Sequence, residues 1–216
     1  MDSEHAPTLS LRLREATRVL HAEVERSALM QQLLRGQLAR TDYCRLLSSL
    51  HTIYAALESG LNDRALHPGL ADLPLAGLAR CAALSIDLEQ LHGDRWAHDL
   101  PAAPAARAYA LRLQALAATD PGLLAAHAYV RYLGDLNGGQ ALARIVARAY
   151  HLAPGQAVAF YDFGPPATVA SAITGLRAGL DRCAPDEAAA QSLVAEAVSG
   201  FERHGQLFAE LLQAPA

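Results

Sequence analysis

The chain contains no lysine: all 18 basic side chains among its 216 residues are arginine. Any anion it holds must therefore be met by a guanidinium, a backbone N–H or an imidazole. Cysteine is scarce as well. Cys44, Cys81 and Cys183 are odd in number, widely spaced and free of any CxxC pattern. That argues against a disulfide scaffold and suits a reducing cytoplasm. No run of about 18 apolar residues is available to span a membrane. The N-terminus lacks the basic-then-apolar pattern of a signal peptide, and no C-terminal anchor follows Leu212. A net charge of −4 and a pI near 6.1 argue against a general nucleic-acid binder. The expectation is a cytoplasmic protein, a monomer in its simplest form, with neither membrane nor nucleic acid as partner.

What is present is apolar and helical. At 52% hydrophobic residues, the length fits one large domain with a sizeable core. Apolar periodicity predicts helices over 10–27, 29–34, 41–60, 75–91, 101–118, 121–150, 168–182 and 185–212, broken by Pro- and Gly-rich turns. Residues 62–74 read as loop. No strand, repeat or low-complexity linker is evident. The reading is a single all-α domain over 1–216, of seven to nine helices, with flexible ends at 1–9 and 213–216.

The run 121–150 carries the most informative anomaly. Gly134, Gly138 and Gly139, with Asp135 among them, interrupt an otherwise good helix. Each interior Gly costs about 1 kcal/mol relative to Ala, so three cost roughly 3 kcal/mol of a typical ~5–15 kcal/mol net stability. Two offsets fit. Either another helix packs close against the bare backbone, or the helix bends and brings that backbone against a flat ligand.

The first helix offers such a ligand a face. Arg14, Arg18, His21 and Glu25 are spaced i, i+4, i+7 and i+11, which at about 100° per residue places them within roughly a 60° wedge. An imidazole then lies on one level and two guanidinium groups one to two turns away, an arrangement that suits a planar metal complex with carboxylates at its edge. Heme is such a ligand: imidazole ligates its iron and Arg forks pair with its propionates. Glu25 can orient the imidazole from its other nitrogen. A salt-bridged solvent face would show the same spacing.

Together the two segments resemble a known family. Leu13-Arg14-Glu15-Ala16-Thr17-Arg18-Val19-Leu20-His21 is similar to the proximal-histidine segment of heme oxygenases, and 126–140 to their distal-helix signature. Weaker likeness runs through 49–58, 87–96 and 205–211, in order along the chain. The resemblance implies an all-α fold holding heme between a proximal and a kinked distal helix. It implies cleavage of heme with O2 and electrons to biliverdin, CO and ferrous iron. By position, His21 is the axial ligand and Glu25 its partner; Arg14, Arg18 and Arg177 hold propionates, with Tyr129 nearby. Gly134, Gly138 and Gly139 bring the distal backbone to the heme. Asp135 organises distal water with Tyr54 and Arg131, and Phe201 and Phe208 form the pocket wall. On helical geometry Asp135 lies about 100° around from Gly134, so water would link it to the reacting oxygen.

Three positions depart from the family pattern: Asn137 stands for a serine, His204 for an asparagine or an apolar residue, and Ile173 for a basic residue. The last two put propionate anchoring and regiospecificity in question. A non-degrading heme carrier or sensor binding through His21 is the alternative. A di-iron enzyme needs two Glu-x-x-His motifs, and only Glu89-Gln90-Leu91-His92 is present. The electron donor, a ferredoxin or flavoprotein reductase, would dock on Arg35, Arg40, Arg112, Arg144 and Arg148.

Overall fold

Amphipathic spacing sets the architecture from the N-terminus. In the computed structural model, which describes residues 7–62 and 67–213, α1 (Leu9–Arg26) buries Leu9, Leu13 and Thr17, a stripe at four-residue spacing on one face. Leu9 is only 5% exposed and the Ser10 amide donates to Asp181 Oδ1 at 2.7 Å. The N-terminal end is therefore anchored by residue 9, earlier than the expected flexible stretch of 1–9 allowed. The Ser27 hydroxyl accepts from the Met30 amide to open α2 (Ala28–Leu34).

Helix α3 (Arg40–Asn62) runs through the middle of the core and buries twelve residues, Tyr43, Leu47, Ile53, Tyr54 and Leu57 among them. Around it stand α4 (Pro68–Ala71), α5 (Cys81–His92), α6 (Trp96–Asp99) and α7 (Pro104–Thr119). The expected helix over 75–91 begins only at Cys81. Gly77 turns the chain at φ +77°, and the Arg80 guanidinium donates to the carbonyls of Gly77, Leu78, Ala79, Phe160 and Asp162, which holds 77–80 as a turn. Three short segments escaped the periodicity reading: α4, within the expected loop 62–74, α6, and a 3-10 turn at Ala159–Tyr161. Three or four residues give too few apolar repeats to register.

The glycine-bearing run is not one α-helix. A 3-10 turn (Pro121–Leu123) leads into α8 (Leu124–Ala128), then a π-helical turn (Tyr129–Leu133), then α9 (Gly134–Ala149). The irregularity lies just before the glycines rather than on them. Helices α10 (Pro166–Leu180) and α11 (Glu187–Gln213) complete the fold; α11 packs along α1, α2, α7 and α8. If 121–149 is taken as one rod and the two four-residue turns are set aside, eight helices remain, as the sequence led one to expect, with no strand among the described residues.

Candidate functional site

A cleft of about 530 Å³ opens between α1 and the π turn–α9 junction, with Arg177 of α10 and Phe201 of α11 at its sides. The volume lies within the ~300–1,000 Å³ common for small-molecule and cofactor sites. Arg14, Arg18, His21 and Glu25 line it together, so the stripe on α1 faces the cleft and is not merely a solvated face. Glu25 Oε2 stands 3.7 Å from His21 Nδ1. That is beyond a direct hydrogen bond but within reach of one through water, and it leaves Nε2 available. The His21 ring meets the edge of Phe201 with centroids 5.7 Å apart.

Opposite α1 the wall is bare backbone. A Cβ added at Gly134 or at Gly138 would meet nothing within 4 Å, and both residues line the cleft. Of the two offsets left open by the sequence, ligand approach therefore applies at these two positions. Gly139 differs. A Cβ there would lie 3.4 Å from the Tyr161 carbonyl oxygen and 3.6 Å from its Cα, so this glycine lets the 159–161 turn pack against α9. Packing thus accounts for Gly139, and the residue also borders a smaller inner chamber together with His21 and Gly134.

That chamber, about 180 Å³, lies behind the cleft and is lined by His21, Gly134, Asp135, Phe201, His204 and Phe208, among others. Here most of the polar groups are buried and paired. The Tyr54 hydroxyl donates to Asp135 Oδ2, and Arg131 Nη2 donates to Asp135 Oδ1 at 3.3 Å. The Arg131 guanidinium also lies over the Tyr54 ring, 5.1 Å from its centroid. Burial pushes the Asp135 carboxyl above the usual carboxylate range; Arg131, the Tyr54 bond and Arg80 oppose the shift without cancelling it. Burial likewise disfavours charge on Arg131, but Tyr54 and Asp135 outweigh it and the guanidinium stays cationic. Three residues expected to act together are thus in contact.

Tyr129 joins the two walls. Its hydroxyl donates to Thr17 Oγ1 at 3.0 Å, while Thr17 donates to the Leu13 carbonyl at 2.7 Å. Thr17 is a cleft residue that the sequence reading passed over, although it sits at the edge of the same α1 stripe. Asn137 returns a hydrogen bond of 2.6 Å to the Leu133 carbonyl, across the junction of π turn and α9. Ile173 is partly buried against the core, which explains an apolar residue there.

On the surface, Arg112 is half-buried and pairs with Glu196 at 2.6 Å. Arg35, Arg40, Arg144 and Arg148 are exposed, although Arg40 donates to the Leu91 carbonyl at 2.9 Å and Arg144 to the Gln140 carbonyl at 3.2 Å. Glu89 and His92 are exposed as well, and no cluster of three metal-ligating groups occurs among the described residues, so the di-iron reading has no support.

With this geometry in view, the similarity to known proteins decides the family. The Heme oxygenase family model matches residues 7–210. The chain belongs to the heme oxygenase family. It is 34% identical over 203 residues to heme oxygenase 1 of Nostoc sp., covering 94% of this chain and 85% of that one. It is 36% identical to human heme oxygenase 1, covering 94% and 71%. The solved heme oxygenase of Leptospira interrogans superposes with a TM-score of 0.89 at 32% identity, covering 94% and 100%. Heme oxygenase-2 of Synechocystis, solved in complex with heme and NO, gives 0.91 at 32% identity, covering 96% and 86%. The all-α heme oxygenase fold and the class of heme-degrading oxidoreductase therefore hold, and the carrier alternative is not favoured. No helix among the described residues is long and apolar enough to cross a membrane.

Proposed function

We propose that this heme oxygenase binds heme in the cleft between α1 and α9 and cleaves it with O2 and electrons to biliverdin, CO and ferrous iron. The observation that carries the reading is the pairing of His21 with the open backbone at Gly134 and Gly138 across one cleft. His21 Nε2 would hold the heme iron, and Glu25 would fix the ring through water on Nδ1. Heme held there would supply the iron that reacts with O2. Arg14, Arg18 and Arg177 hold the propionates at the rim.

Bare backbone at Gly134 and Gly138 would let the distal wall approach the heme face more closely than any side chain allows, and so would leave one edge of the ring the more accessible to reaction. Asp135 sits back in the inner chamber. A carboxyl with a raised pKa, tied to Tyr54 and Arg131, is suited to passing protons through an ordered water without touching the oxygen itself. Phe201 and Phe208 keep the chamber apolar on the α11 side. Arg35, Arg40, Arg144 and Arg148 offer a docking face for a ferredoxin or flavoprotein reductase.

The test is visible absorption after one equivalent of hemin, followed by ascorbate in air with catalase present. The expected result is a sharp Soret band that decays into a biliverdin spectrum. A Soret band that persists with ascorbate and also with a ferredoxin–reductase system would overturn the reading.

A further inference from the structure

A row of aromatic rings leads away from the inner chamber. The Tyr54 ring lies 5.9 Å from that of Phe160, centroid to centroid, and Phe160 lies 5.0 Å from Tyr161. The Tyr161 hydroxyl accepts a hydrogen bond of 3.1 Å from Tyr43, and the Tyr43 ring stands 5.2 Å from that of Tyr150. Phe160 and Tyr161 line the chamber, whereas Tyr150 closes the far end of the row just past α9. Tyr132 also lies 5.8 Å from Tyr54 but leads to no further ring among the described residues.

The row changes character along its length. Tyr54, Phe160, Tyr161 and Tyr43 are buried; Tyr150 is half-buried, and its hydroxyl donates to the Leu38 carbonyl at 3.0 Å. Leu38 lies between Arg35 and Arg40 in the chain, and Tyr150 follows Arg144 and Arg148, so the row surfaces among the four exposed arginines. Burial raises the pKa of all four tyrosines, and each hydroxyl is protonated at neutral pH. Packing alone does not call for phenols here. Tyr43 and Tyr161 satisfy each other, and two such partners can be replaced together by apolar groups of the same shape at little cost. What a phenol adds to a phenyl ring is readiness to give up an electron when a neighbour takes its proton. Tyr54 has that neighbour in Asp135.

We propose that these tyrosines are a route for oxidising equivalents: when heme in the cleft is oxidised by a hydroperoxide, electrons pass inward through Tyr150, Tyr43, Tyr161 and Tyr54 from an anionic one-electron reductant, ascorbate, at the arginine-rich face. The seat of the oxidant rests on the function proposed above. Tyr54 gives up one electron as its proton moves to Asp135, and recovers both when Tyr161 supplies an electron across Phe160. Tyr161 sheds its own proton into the chamber and takes a hydrogen atom from Tyr43 along their bond. Tyr150 supplies the electron that restores Tyr43, and the pair recovers its proton from the chamber. Tyr150 loses its proton to water and is restored by a hydrogen atom from ascorbate, which the arginines attract. Two passes reduce one hydroperoxide to an alcohol and water and oxidise two ascorbates to their radicals. The two protons consumed are drawn from water and replace the two that Tyr150 released.

The experiment uses the heme-loaded protein, a nitroso spin trap and one equivalent of tert-butyl hydroperoxide, whose outer oxygen is blocked by carbon. Of the seven tyrosines, only Tyr129 at the cleft and Tyr150 are half-buried and within reach of the trap. Peptide mass spectrometry should find the trap on Tyr150. Tyr43→Phe and Tyr161→Phe each keep the ring and should abolish the Tyr150 adduct, leaving any Tyr129 adduct in place. The tyrosyl radical signal of frozen samples should decay more slowly with ascorbate in both variants than in the wild type. Biliverdin formation by Tyr43→Phe, with ascorbate, O2 and catalase, should be unchanged. A wild type without trap on Tyr150 overturns the proposal, whether or not the variants fold. So does a Tyr150 adduct undiminished in both variants. Hemin without a Soret shift removes the seat of the oxidant and overturns route and function together. Heme that binds but yields no biliverdin counts against the function alone, while the adducts still decide the route.

Discussion

The α1 wall of the cleft is half open and sparsely bonded, whereas the wall behind Gly134 is buried and bonded at almost every polar atom. His21 and Glu25 have side chains 49% and 62% exposed and approach no closer than 3.7 Å. Asp135 is 13% exposed and shares its two oxygens between Tyr54 and Arg131. The open wall has room to receive a large flat substrate and its carboxylates. The closed wall is set before the substrate arrives, as electrostatic preorganisation requires.

Five substitutions in four tests probe that contrast, taken from the largest effect to the smallest. His21→Ala on the open wall removes the axial ligand. Biliverdin formation should fall by about 1,000-fold, some 4 kcal/mol of activation free energy, and added imidazole should restore part of it. A mutant with near-normal turnover and an unaltered Soret band would assign the ligand elsewhere. Asp135→Ala on the closed wall should lower biliverdin formation by about 100-fold while the heme dissociation constant stays within about threefold. Peroxidase-type oxidation of an added phenol should rise instead. Full biliverdin yield would separate Asp135 from the chemistry.

The third test asks how the closed wall is braced from behind. The Tyr109 hydroxyl donates to His127 Nδ1 at 2.8 Å; His127 Nε2–H donates to Glu196 at 2.9 Å, and Arg112 closes the chain. Burial keeps the His127 ring below its ordinary pKa, hence neutral, despite the neighbouring carboxylate. Burial also pushes Glu196 up, but the His127 N–H and the Arg112 guanidinium outweigh it and bring its pKa down to about 2. A carboxyl depressed in the folded state contributes stability above its unfolded pKa of about 4.5, and loses it as the pH falls towards 2. Glu196→Gln should cost on the order of 2–3 kcal/mol at pH 7 and flatten the acid decline in melting temperature. An unchanged acid decline would show that other groups govern it. The smallest effect is expected at the rim. Arg14→Ala and Arg177→Ala should each raise KM for heme about three- to fivefold, roughly 1 kcal/mol, and high salt should shrink the difference. A change in kcat instead of KM would move these arginines from binding to positioning.

The same contrast explains what could be read from the sequence. The open wall lies on one helix, so Arg14, Arg18, His21 and Glu25 were placed on a common face by spacing alone, and the cleft confirms that face. Thr17 was equally accessible to that reasoning. The closed wall is assembled across the chain: Tyr54 with Asp135, Arg131 with His204, His127 with Glu196. Periodicity says nothing about such pairs; the resemblance supplied Tyr54, Arg131 and Asp135, while His204 stood out only as a departure. The helix limits at 75–80 failed because a single buried arginine, Arg80, collects five carbonyls and overrides apolar spacing. The packing of Gly139 was not legible, because a glycine's neighbours are invisible until the fold brings Tyr161 to it.

The π turn at Tyr129–Leu133 makes the angular phase of α9 a matter of arithmetic. A π turn holds one more residue than the α turn it replaces. The extra residue is absorbed within the turn, so α9 leaves it in nearly the phase that an α-helix one residue shorter would have. Deleting one of those five residues would therefore give a continuous α-helix with Gly134, Asp135 and Gly138 still turned to the same side. Winding all five residues as α-helix, with none removed, would instead rotate them off the cleft by nearly the ~100° of one residue. The phase of the distal wall is thus carried by how one surplus residue is wound.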